Sequence, residues 1–280
     1  MVNLRRLTDG IIDINNLNVN VEAFNTFYGK YSFCYDYDYY FVKICGESEI
    51  FNEIFAAKFA DKMGINHANY DICRYNGELG AISGSVYKGD EKFIPLALAS
   101  SDNIPNGGSA NTIQSMKRYV LPSLCFFNQN EELKKYIDIF MFDILLGNDD
   151  RHEDNIGFIK NKNKYSIAPI FDNGNIGKDL AVYHHIYSQG LDNRKYDPTS
   201  ISDTIYEIFM NKKYGKILAT YLEKYSLKDF EEIVKSINEE HTYEFDREYE
   251  IFLLNRLKSN LKILNEFKED FYDSKRLKRG

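Results

Sequence analysis

Between Glu131 and Leu146 the apolar residues fall at 133, 136, 137, 140 and 144, a spacing near 3.6 that predicts a helix. Its last turns, IFMFDILL, are apolar on nearly every side, which places this helix at the centre of the protein. Gly147 ends it, and the polar run Asn148–Asn155 begins where the helix leaves the core. Ile156–Ile159 and Tyr165–Phe171 then predict two strands joined by a polar turn, Asn161–Lys164. An antiparallel hairpin about that turn sets residues whose numbers sum to about 325 opposite one another. Asn155 thus falls opposite position 170, within two residues of Asp172.

The pattern before residue 90 is different. Residues 26–45 are dense in Tyr, Phe and Val with a turn-like YDYD step, which predicts a hairpin through Lys30–Tyr35 and Tyr39–Cys45. A helix is expected from Ser48, as N-cap, to Met63, stopped by Gly64. Two short strands follow near Tyr70–Tyr75 and Leu79–Tyr87. Ser100–Ser109 reads as a loop, and further helices are expected near 201–211, 227–238 and 246–268. The expected architecture is α+β and bilobal: a strand-rich N-lobe over 1–88 and a mainly helical C-lobe over 89–280.

Charge narrows the function classes. A net charge of -7 argues against a direct nucleic-acid binder, which carries a basic footprint. No apolar run is long enough to span a bilayer, and MVNLRRLTDG does not read as a secretory leader, so no membrane partner is expected. Cys34, Cys45, Cys73 and Cys125 lie far apart without a C-x-x-C pair, as expected of reduced thiols in a cytoplasm.

The chemistry concentrates in Gly147–Gly174. Side chains directly opposed on a hairpin have Cβ atoms roughly 4.5–5.5 Å apart, close enough for Asn155 and Asp172 to share one small cation. Mg²⁺ takes few protein ligands and completes its shell with water and phosphate oxygens, so hard Asn and Asp oxygens suit it. Asp150, five residues before Asn155, is placed to accept the proton of an attacking hydroxyl. The same D-x-x-x-x-N spacing, followed by a metal-binding Asp, occurs in the protein-kinase catalytic loop. An ordinary solvated loop is the competing reading of these residues. The coincidence of an apolar helix end, a polar loop and a spaced far-strand carboxylate favours a site.

N-D-D-R-H-E-D-N (148–155) followed by I-A-P-I-F-D-N-G (167–174) resembles the HipA-type serine/threonine kinases, distant relatives of the phosphatidylinositol 3- and 4-kinases. Upstream, F-V-K-I (41–44) is similar to their ATP-lysine strand, and N-E-I-F-A-A-K-F-A-D-K-M-G-I (52–65) to the helix after it. The resemblance covers roughly residues 26–180. It implies an ATP- and Mg²⁺-dependent phosphotransferase with Asp150 as base and Asn155 and Asp172 as metal ligands. Arg151 and His152 would support the loop or the γ-phosphate, Lys43 would hold the α/β-phosphates, and Glu53 would pair with Lys43. The phosphate loop would be the glycine-poor stretch containing Gly29 and Lys30, with Ser32 or Thr26 either an autophosphorylation site or a plain hairpin hydroxyl. The adenine would lie against backbone near Ser85, Val86 and Tyr87, although an edge strand there is an equal reading. His184 and His185 would line a substrate groove or be ordinary surface or core histidines. A protein Ser/Thr hydroxyl is the implied acceptor and an antitoxin the implied partner; a lipid or small-molecule kinase and a non-catalytic ATP-binding scaffold are the alternatives.

Overall fold

The computed structural model describes residues 10–25, 29–100, 113–180 and 212–273. The first part of the chain supplies six strands: β1 (Ile12–Asp13), β2 (Glu22–Asn25), β3 (Lys30–Tyr35), β4 (Asp38–Ile44), β5 (Tyr70–Tyr75) and β6 (Glu78–Gly84). They form one sheet in the order β1-β5-β6-β4-β3-β2, antiparallel throughout except where β1 joins β5. The expected hairpin is present. It turns at Asp36-Tyr37, whose positive φ values of 51° and 67° match the twist that a two-residue hairpin loop needs. Alternation along β4 sends Tyr40 and Val42 into a small cluster with Phe33 and Ile82, and turns Lys43 to the opposite face.

Helix α1 (Glu47–Met63) crosses that opposite face. It begins after Gly46, so Ser48 lies in the first turn instead of capping it; Glu47 and Glu49 in that turn complement the helix dipole. Gly64, at φ 74°, ends the helix as expected. From Ile50 to Ala60 every residue but Lys58 is buried. The reason is packing on two sides: β5 and β6 on one, and helices α4 (Gln129–Leu146) and α6 (Leu227–Glu240) on the other. Phe59 stacks on Phe142 of α4 at 5.8 Å and meets Phe230 of α6 edge-on at 5.1 Å. One continuous core thus joins sheet and helices across α1.

A second sheet of three strands, β7 (Lys92–Pro95), β8 (Gly157–Asn161) and β9 (Lys164–Ile167), lies in the order β7-β8-β9. The pairs Phe158–Ile167, Ile159–Ser166 and Lys160–Tyr165 all keep the expected register. Strand β9 stops at Ile167, four residues early, because Ala168-Pro169 follows and proline has no N–H for a ladder. The remaining helices are α2 (Leu96–Ser100), α3 (residues 113–123), α5 (Lys212–Lys224) and α7 (Arg247–Asp273). The pattern did not mark β7 or α5. The helix expected near 201–211, the loop at 101–109, Thr26, His184, His185 and the basic tail lie outside the described residues. Among the described residues no helix is long and apolar enough to cross a membrane. All four cysteines are free thiols.

The fold is α+β, and the end of α4 is its critical joint. Asn128 caps the helix start, accepting from the N–H groups of Asn130 and Glu131. Gly147 closes the helix at φ 61°, and a Cβ there would sit 2.7 Å from the carbonyl oxygen of Lys178 and 2.8 Å from Nδ2 of Asn260. The same carbonyl accepts from buried Asn260 of α7, and Lys178 N–H returns to the carbonyl of Gly147. Gly147→Ala is therefore expected to lower unfolding free energy by about 2 kcal/mol or more, read from the denaturant midpoint at unchanged m-value.

Candidate active site

Arg151 organises the loop after α4. It is 1% exposed and uses all five of its N–H groups. Nε and Nη2 make a bidentate pair with Asp143, at 3.1 and 3.0 Å. Nη1 donates to the carbonyl oxygens of Asn155 (3.0 Å) and Phe171 (2.9 Å), and Nη2 also donates to Oδ1 of Asn173. Asp143, fully buried, takes a further bond from Asn148 Nδ2 at 2.7 Å. Burial pushes the Asp143 carboxyl up while the guanidinium pulls it down; the guanidinium itself is held above its usual range by that carboxylate despite burial. One cation thus ties the end of α4, the polar loop and the far strand together. With all five donors used in these bonds, Arg151 holds the loop.

The loop that results presents Asp150 and Asn155. Asn155 donates its Nδ2 to the Asp150 carbonyl at 3.0 Å, which leaves Oδ1 as its remaining acceptor atom. Asp150 Oδ2 accepts from Asn175 Nδ2 at 2.9 Å. His152 acts locally: its Nδ1 accepts from Asp154 N–H at 3.3 Å.

Across from the loop, Asp172 meets the sheet. Its Oδ1 lies 2.6 Å from Lys43 Nζ and its Oδ2 3.1 Å from Lys30 Nζ. Lys30 and Lys43 are direct cross-strand partners on β3 and β4, an unfavourable like-charge pairing that the Asp172 carboxylate offsets. Burial alone would raise the Asp172 carboxyl, but the two ammoniums hold it below its usual range. Burial likewise works against the Lys43 ammonium, and Asp172 and Glu49 overcome it, raising its pKa.

The partner of Lys43 on α1 is Glu49, at 2.5 Å, and not Glu53. Glu49 lies in the first helical turn, beside the end of β4; Glu53, one turn further, is wholly buried beneath the site. Its Oε2 accepts from the N–H of Asn173 at 2.8 Å. Burial, then the charge of Asp172, pushes the Glu53 carboxyl up to about 8.

Gly29 sits at φ 59° before β3, and its carbonyl accepts from Ile44 N–H. Ser32 is half-buried within β3, opposite Phe41. Strand β6 ends at Gly84, so Ser85, Val86 and Tyr87 form a loop and not an edge strand. Two of the three backbone donors there are already used: Ser85 N–H bonds the Tyr39 carbonyl, and Tyr87 N–H bonds Ser85 Oγ.

A cleft of about 390 Å³ opens beside Asn175, walled by Glu49, Lys178, Tyr249, Phe252 and Arg256. Among the described residues there is no cluster of three or more His, Cys, Asp or Glu side chains fit to cage a metal. The oxygen pair of Asn155 and Asp172 suits Mg²⁺, which needs one or two carboxylate-type ligands, and the two ammoniums on Asp172 mark where positive charge is held.

Compared with solved structures, the chain matches the Helicobacter pylori proinflammatory kinase CtkA over 95% of its own length and 99% of that chain. The TM-score is 0.69 at 20% sequence identity. The fold is kinase-like. HipA, from the Shewanella oneidensis toxin–antitoxin complex of HipA, HipB and operator DNA, matches with a TM-score of 0.48 and 13% identity. That match covers 82% of this chain and 60% of that one, and nothing further rests on it. No protein-family model matches the chain, and no curated protein matches it.

Sequence reasoning missed Asp143, Asn148, Glu49, Tyr70 and Asn175. For Asp143 a signal was present: it is the single charge in IFMFDILL, and a carboxylate inside a wholly apolar helix needs a cation. Arg151→Met is expected to leave that carboxylate uncompensated and cost about 3–5 kcal/mol in denaturant unfolding. The paired variant Asp143→Leu/Arg151→Met should recover much of that loss.

Proposed function

We propose that this chain transfers the γ-phosphoryl group of ATP to a serine or threonine hydroxyl of a protein. The single observation that carries the reading is the convergence of Lys43, Asp172, Asn155 and Asp150 on one kinase-like fold. The first pair is in contact at 2.6 Å, and the last two stand on the loop that Arg151 holds. Lys43 and Lys30 then serve the phosphates, with Glu49 keeping Lys43 in place. Asn155 and Asp172 would hold Mg²⁺, which would supply positive charge against the transferring phosphoryl group.

Asp150 has one oxygen fixed by Asn175, and its Oδ1 makes no bond among the described residues. That oxygen takes the acceptor's proton as the new O–P bond forms and the bond to the leaving ADP breaks. The cleft supports a bulky acceptor: it is lined by Asn175, the residue bonded to Asp150, and runs to Phe252, a phenylalanine 52% exposed on α7. Positioning and charge do most of the work in such chemistry, which fits a site with few reactive groups.

Labelled ATP, Mg²⁺ and a protein extract test the reading. Label should pass to protein, and Asp150→Asn should slow transfer by about 10²–10⁴-fold. Equal incorporation by both proteins would remove Asp150 from the chemistry, and label on inositide vesicles but on no protein would replace the acceptor.

A further inference from the structure

The residues F-D-N-G, 171–174, carry the carboxylate on which the proposed site depends, and their backbone is not left to itself. Asp172 sits at φ 54°, in the left-handed region that a non-glycine residue seldom occupies without outside support. Support comes from four side chains on three other parts of the fold. Arg151 donates to the Phe171 carbonyl. The Tyr70 hydroxyl accepts from Asp172 N–H at 2.9 Å, and Glu53 Oε2 accepts from Asn173 N–H at 2.8 Å. Asn52 Nδ2 donates to the Gly174 carbonyl at 2.8 Å, while its own Oδ1 accepts from the Tyr249 hydroxyl. Every residue of the tetrapeptide has one backbone group pinned.

The register that allows this is built from the backbone. Ile170 exchanges hydrogen bonds with the segment before β5: Ala68 N–H donates to its carbonyl, and its N–H donates to the carbonyl of Asn66. Two residues further along each chain, Tyr70 reaches Asp172. On the other side, Asn52 and Glu53 are consecutive residues of α1, and reach Gly174 and Asn173.

Glu53 is unusual in this set. It is 0% exposed, its Oε1 is buried without a hydrogen-bond partner, and it stands near the Asp172 carboxylate, which repels it. A buried carboxyl group with one oxygen unbonded opposes folding, and an apolar side chain of similar size would not carry that penalty. Folding therefore does not account for it. Its oxygen fixes the amide next to Asp172.

We infer that Glu53 and Tyr70 are positioning residues for the metal: they lock Asp172 in its left-handed conformation, and binding of a divalent cation depends on that lock. Metal-free nucleotide does not, because Lys43 is held by Glu49 instead. This rests on the phosphotransferase reading and adds to it a separate role for the α1 glutamate.

The test uses the full chain, with Mn²⁺ as probe in the presence of a non-hydrolysable ATP analogue, and a fluorescent ATP analogue without metal. Tyr70→Phe removes one oxygen, and Glu53→Leu removes the acceptor at similar volume. Each should weaken Mn²⁺ binding by roughly tenfold or more and leave metal-free nucleotide affinity within about twofold. Glu53→Gln, which keeps an acceptor for Asn173, should lose less than Glu53→Leu. Amide hydrogen exchange at Asp172 and Asn173 should quicken in Tyr70→Phe and Glu53→Leu. Unchanged Mn²⁺ affinity, or equal loss of metal and metal-free nucleotide binding, would overturn the inference. If Glu53→Leu does not fold, Tyr70→Phe decides it. If the unaltered protein itself binds no Mn²⁺ with nucleotide, the phosphotransferase reading fails, and the exchange rates still report whether the lock exists.

Discussion

A single buried guanidinium holds the two halves of this site together. Arg151 meets a carboxylate in the middle of an apolar core, where neither group is tolerable alone, and each therefore fixes the other. Asp143 is anchored in the buried second half of α4, so the salt bridge inherits the rigidity of the core. The other donors of Arg151 then reach both strands of the hairpin just beyond its ladder, at Asn155 and Phe171. The polar loop cannot drift from the far strand without leaving donors unpaired in a dry interior. Asp150, Asn155 and Asp172 are brought together by this arrangement, and none of them has to supply the cohesion itself.

The sheet contributes a second constraint of opposite character. Lys30 and Lys43 face each other across β3 and β4, a repulsive pairing that costs stability unless an anion sits over it. In this structure the anion is Asp172. Such a pair of ammoniums is equally suited to phosphate oxygens, so the charge pattern that docks the far strand onto the sheet is also one that a nucleotide can take over. Helix α1 serves both ends of this exchange, with Glu49 on Lys43 and Glu53 on the backbone beside Asp172.

Much of this was legible in the amino-acid sequence where short-range rules decide the outcome. The turn at Asn161–Lys164 set the β8–β9 register because hairpin pairing follows from loop length alone, and the apolar period marked α4 together with its glycine stop. What was not legible depends on how far one element reaches along another. Glu49 and Glu53 lie four residues apart on the same helical face, and only the docking of α1 on the sheet decides which meets Lys43. Tyr70 gives no local sign of its role, because its bond to Asp172 arises from a bridge between residues about a hundred positions apart. The strand pattern over Tyr165–Phe171 overran for a plainer reason, Pro169. Strand β7, a lone K-F-I-P, needs β8 beside it to be a strand at all.

Asp172 is the residue at which the two ammoniums converge and at which the proposed metal and nucleotide would meet them. The most direct measurement is a crystal structure with Mn²⁺ and a non-hydrolysable ATP analogue, locating the metal by its anomalous signal. Mn²⁺ is expected between Asn155 Oδ1 and the Asp172 carboxylate, with Lys43 Nζ turned from Asp172 to the phosphates and still paired with Glu49. Metal bound away from Asp172, or nucleotide bound elsewhere while Lys30 and Lys43 both remain on that carboxylate, would contradict it.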